Sequence, residues 1–132
     1  MIIDASALLA IALAEDDAAR MLDAISRVGR RRIPAPTWFE AAMVIDRRGN
    51  PQAAELFAAL VQRMGIEISA LTAEHALAAR RAWNQFGKKR HQAGLNFGDC
   101  MVYAMAKVDG EALLCKGNDL HRTDIELVLN DR

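Results

Sequence analysis

Four acidic residues in this chain have neighbours that suit chemistry better than solvation. Asp4 follows the apolar opening Met1-Ile2-Ile3, and Glu40 lies among Trp38, Phe39, Ala41, Ala42 and Met43. Asp99 is flanked by Phe97, Cys100, Met101 and Val102, and Asp119 closes the turn Lys116-Gly117-Asn118-Asp119. Each has a structural explanation on its own. Asp4 can cap the helix after it, and Glu40 can close a capping box with Thr37. Asp99 suits the positive end of a helix, and Asp119 can stabilise a turn through its side chain. Taken together, the four place acids at strand ends and helix starts. Two carboxylates ~4 Å apart repel by about 4 kcal/mol at an effective dielectric near 20, so four that converge need a neutraliser. Oxygen donors without Cys or His favour Mg2+, with Mn2+ as a substitute, over zinc. A cation held this way binds phosphate oxygens, lowers the pKa of a bound water and steadies a leaving oxygen. That is the chemistry of phosphodiester hydrolysis.

Alternating elements must position these acids. Apolar spacing and turn residues predict strands over 1–3, 33–35, 66–68, 112–115 and 125–129. Helices are predicted over 5–14, from Asp16 or Asp17 to the stop at Gly29, and over 37–48, 52–64 and 73–86. A last helix is expected from Asn96 or Gly98 to about 108. Ser6 is the expected cap of the first helix, Thr37 of the third and Thr72 of the fifth. Strands that alternate with helices predict an α/β fold whose central, mostly parallel sheet carries helices on both faces. In such sheets ligands gather at the carboxyl ends of the strands, which is where Asp4 and Asp119 fall.

The chain has 132 residues, a length suited to one domain over 1–132. Aromatic residues are 5%, so its core must be aliphatic. Seventeen basic residues balance seventeen acidic ones, which removes any global attraction to a polyanion. Cys100 and Cys115 sit in apolar runs without metal-ligand spacing, as expected of reduced thiols in a cytoplasmic protein. No stretch approaches the ~20 apolar residues of a membrane span, and the acid at position four argues against a signal peptide.

The same residues carry a resemblance to a known family. The opening Met1-Ile2-Ile3-Asp4-Ala5-Ser6-Ala7-Leu8 resembles that of PIN-domain ribonucleases, specifically the VapC toxins of toxin–antitoxin pairs. So do the segment from Arg90 through Asn96-Phe97-Gly98-Asp99-Cys100 and the run Lys116-Gly117-Asn118-Asp119-Leu120 with Thr123-Asp124-Ile125. Leu120 stands where that family usually has Phe. The resemblance covers essentially the whole chain and implies a PIN-like three-layer α/β/α fold. It implies that Asp4 and Asp99 are the principal metal ligands and that Glu40 and Asp119 complete the acidic pocket. Ser6 would hold a ligand or a water, with Asp124 and then Asn118 as weaker members. It further implies an RNA substrate, a homodimer and a cognate VapB-type antitoxin.

Between Glu74 and Asp99 no acid occurs, while Arg80, Arg81, Lys88, Lys89, Arg90 and His91 do. This interval is either a solvated helix end or a phosphate-contacting rim, with Arg90 and His91 nearest to Asp99 in sequence. Arg30, Arg31 and Arg32 read as a solvated loop, and His75 and His121 as structural or solvated side chains. The leading expectation is a magnesium-dependent endoribonuclease of the toxin type. A catalytically weak PIN-fold module that binds RNA or protein is the alternative. A phosphatase or receiver-like domain would use Lys116, but leaves the Asn-Phe-Gly-Asp segment without a role.

Overall fold

The computed structural model describes residues 1–130. The elements run β1 (Ile2–Ile3), α1 (Ala5–Ala12), α2 (Ala18–Ser26), β2 (Arg32–Pro34), α3 (Ala35–Arg48) and α4 (Pro51–Arg63). They continue with β3 (Glu67–Ser69), α5 (Ala73–Phe86), α6 (Phe97–Asp109), β4 (Leu113–Leu114) and a 3-10 turn at Leu120–Arg122. The strands form one parallel sheet in the order β3-β2-β1-β4. The chain moves outward from β1 to β3 and then returns to the other side of β1. The crevice between the carboxyl ends of β1 and β4 is therefore the topological switch point, the favoured ligand position in such sheets.

Strand alternation sorts the core into two layers. Ile3 and Leu114 pack with α1, α2, α3 and α4, whereas Ile2 and Leu113 pack with α5 and α6. All four are fully buried, and each such side chain contributes roughly 1.5–3 kcal/mol. The result is the three-layer α/β/α arrangement that the sequence predicts. No helix is long and apolar enough to cross a membrane among the described residues.

Several local expectations are corrected. α3 begins at Ala35, not at Thr37, with Pro34 as its N-cap. Pro36 fits the first turn, where a missing N–H costs nothing. Thr37 thus lies inside the helix, buried, and the capping box with Glu40 does not form. Asp4, not Ser6, is the N-cap of α1 and accepts from the Ser6 backbone N. The strand expected over 125–129 is reduced to one bridge between Leu113 and Leu127, because the two-residue β4 offers little edge. Thr72 does cap α5, where His75 completes the capping box.

Of the arginine run, Arg30 is exposed as expected of a solvated loop, but Arg32 is not. Arg32 is buried at the amino end of β2, where its guanidinium meets Asp109 at 2.5 Å and Glu111 at 2.6 Å. Glu111 also receives the Met1 amino group at 2.7 Å, and His75 Nε2 lies 2.8 Å from Asp109. Thr72 N donates to His75 Nδ1, so Nε2 carries the hydrogen offered to Asp109. Burial works against the charged forms of both acids. The His75 and Arg32 bonds nevertheless hold Asp109 below the usual carboxylate range, and the amino group and Arg32 do the same for Glu111. This edge of the sheet is locked by matched charges. Arg32→Ala leaves Asp109 with His75 and Glu111 with the Met1 amino group as remaining partners, and is expected to cost about 3 kcal/mol, the lower end for breaking a buried ion pair. Urea unfolding of the variant checks this; a loss below 1 kcal/mol would show the network to be dispensable.

Candidate active site

The opposite, carboxyl edge carries the acids without matched cations. Asp4 leaves β1 directly, held by its backbone N–H donating to Leu114 O at 2.9 Å. It is 8% exposed. Ser6 donates to Asp4 Oδ2 from its hydroxyl at 2.5 Å and from its backbone N at 3.1 Å. The Ser6 hydroxyl in turn accepts from Lys116 N at 2.8 Å. Ser6 therefore fixes the Asp4 carboxylate and ties the end of β1 to the segment leaving β4. Burial raises the Asp4 pKa despite the hydrogen bonds from Ser6 and the Ala5 backbone, which oppose it.

Asp99 stands in the first turn of α6. Its Oδ2 accepts from Asn96 N at 3.0 Å, and Asn96 Oδ1 accepts from Asp99 N at 2.9 Å. This capping box aims the carboxylate while satisfying the helix start. Burial raises the Asp99 pKa to about 6, with the Asn96 backbone bond opposing it, the charges of Asp4 and Asp119 adding to it, and Lys88 opposing it. Glu40 is raised by burial first, then by Asp4 and Asp99. Its carboxylate rests on Gly98, where an added Cβ would lie 2.5 Å from Oε2 and 3.0 Å from Oε1. A larger residue at that position would displace the Glu40 carboxylate from where it now rests. Asp119 is exposed at the start of the 3-10 turn, with no side-chain cap bond, and its charge is felt at Asp99. The structure thus couples all four acids electrostatically. Among the described residues, no three acids, histidines or cysteines gather tightly enough to make a complete metal cage.

The PIN domain family model matches residues 1–126. The chain belongs to the PIN-domain family. This PIN domain is 43% identical over 129 residues to ribonuclease VapC30 of Mycobacterium tuberculosis, covering 97% of this chain and 98% of that one. It is 41% identical over 127 residues to ribonuclease VapC36 of the same organism, covering 96% and 91%. Among solved structures it resembles Mycobacterium tuberculosis VapC20, described as a sarcin-ricin loop cleaving toxin, with a TM-score of 0.74 at 16% identity over 99% of this chain and 98% of that one. A toxin-antitoxin complex from Klebsiella pneumoniae gives 0.68 at 15% identity over 90% and 88%. These two likenesses speak for the fold.

The remaining expected site residues of the PIN domain divide. Asp124 is engaged elsewhere: it accepts from Tyr103 Oη at 2.5 Å and Lys107 Nζ at 2.9 Å, and these bonds hold it below the usual carboxylate range. It fastens the C-terminal segment to α6. Arg90 lies over the Trp83 ring at 5.8 Å, and His91 sits edge-on to Phe86 with its Nδ1 accepting from Ala93 N. Lys88, ranked behind these two by sequence distance, is the basic residue whose charge reaches Asp99. Phe86 N-terminal to it and Leu95 beyond the loop pair their backbones, which folds residues 87–95 back and brings Lys88 toward α6. Cys100 and Cys115 are buried, and burial first, then the charge of the nearby acids, pushes their thiols up to about 11 and about 12.

The Asp99 shift has a stability consequence. Its pKa rises from 3.8 in the unfolded chain to about 6 in the folded one, so folding takes up protons. The contribution is fully present below about pH 4 and is lost as pH rises through about 6. Asp99→Asn keeps a capping oxygen and removes the charge. In metal-free protein it is expected to melt several degrees above wild type at pH 8 and level with it near pH 4. Thermal unfolding at the two pH values checks this, and a variant that melts lower at pH 8 would contradict the cost of an ionised Asp99.

Proposed function

We propose that this chain is a magnesium-dependent endoribonuclease that acts in the cytoplasm as the toxin of a VapBC-type pair. The observation that supports it most is the convergence of Asp4, Glu40 and Asp99 at the switch point of a PIN fold, with each pKa raised by burial first and, for Glu40 and Asp99, by acidic neighbours as well. Relatives named VapC ribonucleases align along essentially the whole chain. Asp4 and Asp99 would hold Mg2+, for which Mn2+ can substitute. Their donor set is all oxygen, and Mg2+ is commonly held by one or two carboxylates with waters and substrate phosphates completing its shell. The incomplete protein cage fits that habit. When bound, the cation supplies charge neutralisation and activates water for attack on phosphorus.

The chain's own residues do the rest. Ser6 locks the Asp4 carboxylate in place. Glu40 is suited to take the proton of the attacking water, because burial and its acidic neighbours raise its proton affinity. Asp119 adds negative charge at the solvent side of the pocket. Lys88 offers its ammonium to a phosphate of the strand being cut. An antitoxin would cover this edge, and an arginine inserted among the carboxylates would satisfy them best. A homodimer is part of the same proposal by family membership.

Asp4→Asn and Asp99→Asn are each expected to abolish cleavage of RNA in Mg2+ while circular dichroism is unchanged. Mapping RNA 5′ ends after induction of wild type and Asp99→Asn reads the same loss in cells. Either variant cutting at the wild-type rate would remove the assignment. RNA binding without cleavage by the wild type would return the module without catalysis. Lys88→Ala is expected to raise KM and to lower the slope of log KM against log salt by about 1. An unchanged salt slope would take Lys88 out of the substrate's path.

A further inference from the structure

Beside the acids lies an apolar groove with no assigned role. Its volume is about 300 Å3, and its walls include Phe39 and Met43 from α3 and Phe97 and Met101 from α6. Glu40 and Gly98 also line it, so the groove and the acidic pocket share the Glu40 side chain. Phe97 is 77% exposed and Phe39 is 58% exposed. Both rings adjoin functional positions: Phe97 precedes Asp99 by two residues and Phe39 precedes Glu40 by one. Two large rings uncovered in the single chain beside the acidic pocket form a candidate binding surface.

We infer that this groove is a nucleobase subsite, in which Phe97 and Phe39 stack on a base adjoining the phosphodiester held by the acids. The inference rests on the ribonuclease reading and names the part of the substrate that the groove takes. A strand whose phosphate sits among Asp4, Glu40 and Asp99 must direct its neighbouring bases away from those charges. The shared Glu40 side chain puts the apolar groove within reach of such a base. Its dimensions fall at the lower end of ligand pockets, which span roughly 300–1,000 Å3. Single-stranded nucleic acid is held in this way elsewhere, by aromatic faces that accept any base. The polar side chains of the lining are Glu40 and Thr37. The Thr37 hydroxyl is buried without a hydrogen-bond partner, out of contact with solvent. Stacking, rather than reading of base edges, is therefore the source of binding, and the subsite is tolerant of base identity.

The test uses a short single-stranded RNA containing a cleavage site mapped with the wild type. Phe97→Ala is expected to lower kcat/KM by roughly 5- to 100-fold, mainly through KM, and Phe97→Trp to restore it. An abasic nucleotide beside the cut should slow the wild type by a similar factor and slow Phe97→Ala no further. On the Asp99→Asn background, 2-aminopurine at the same nucleotide should be quenched on binding when Phe97 is present and not in Phe97→Ala. Quenching by that protein, with no cleavage by the wild type, would uphold the subsite and sink the nuclease reading. Phe97→Ala that cuts at the wild-type rate, or that loses equally on the abasic strand, would overturn the subsite. So would a shift of Phe97→Ala from dimer to monomer in sedimentation with base stacking intact, which would assign the groove to a second copy of this chain.

Discussion

Like charges held together at one edge of a parallel sheet are the constraint on which this molecule is built. The two edges treat charge in opposite ways. At the amino edge, Arg32, His75 and the Met1 amino group meet Asp109 and Glu111, and those acids ionise more easily than usual. At the carboxyl edge, Asp4, Glu40 and Asp99 face one another with Lys88 as the cation felt at Asp99, and all three resist ionisation. The first edge stabilises the fold. The second gathers carboxylates whose ionisation is opposed by burial and, at Glu40 and Asp99, by like charge.

Three small devices hold the repelling acids in place. The Ser6 hydroxyl bridges Asp4 and the Lys116 backbone, joining β1 to the chain after β4. The Asn96 capping box spends one Asp99 oxygen on the helix start and so fixes its direction. Gly98 removes the Cβ that would push Glu40 away. None of these residues carries charge, yet each determines where a charge sits. Preorganisation of this kind lets a site bind a cation without rearranging its ligands.

Much of this was legible in the sequence because it depends on period and on residue type. Alternation of short apolar runs with helical spacing gave the parallel sheet and its two helical layers; apolar neighbours singled out Glu40 and Asp99, and strand-end positions singled out Asp4 and Asp119. What escaped depends on contacts between distant segments. Arg32 reads as one of three basic residues in a row, and its partners lie nearly eighty positions away. Thr37 and Glu40 have capping-box spacing, but Pro34 and Pro36 start the helix two residues earlier. Asp124 fits the C-terminal pattern, and its capture by Tyr103 and Lys107 depends on where α6 runs. Lys88 was hidden among neighbouring cations, since the reversal of the chain over residues 87–95, not sequence distance, brings it to Asp99.

Under the proposed function, a divalent cation neutralises the acids of the carboxyl edge and lets them stay together. Calorimetric titration of metal-free wild type and of the Asp4→Asn/Asp99→Asn double variant with Mg2+ at pH 7.5 tests it most directly. The account predicts saturable binding to the wild type, with a rise in its melting temperature, and neither in the double variant. A wild type that takes up no Mg2+, or a double variant that takes it up equally, would contradict it.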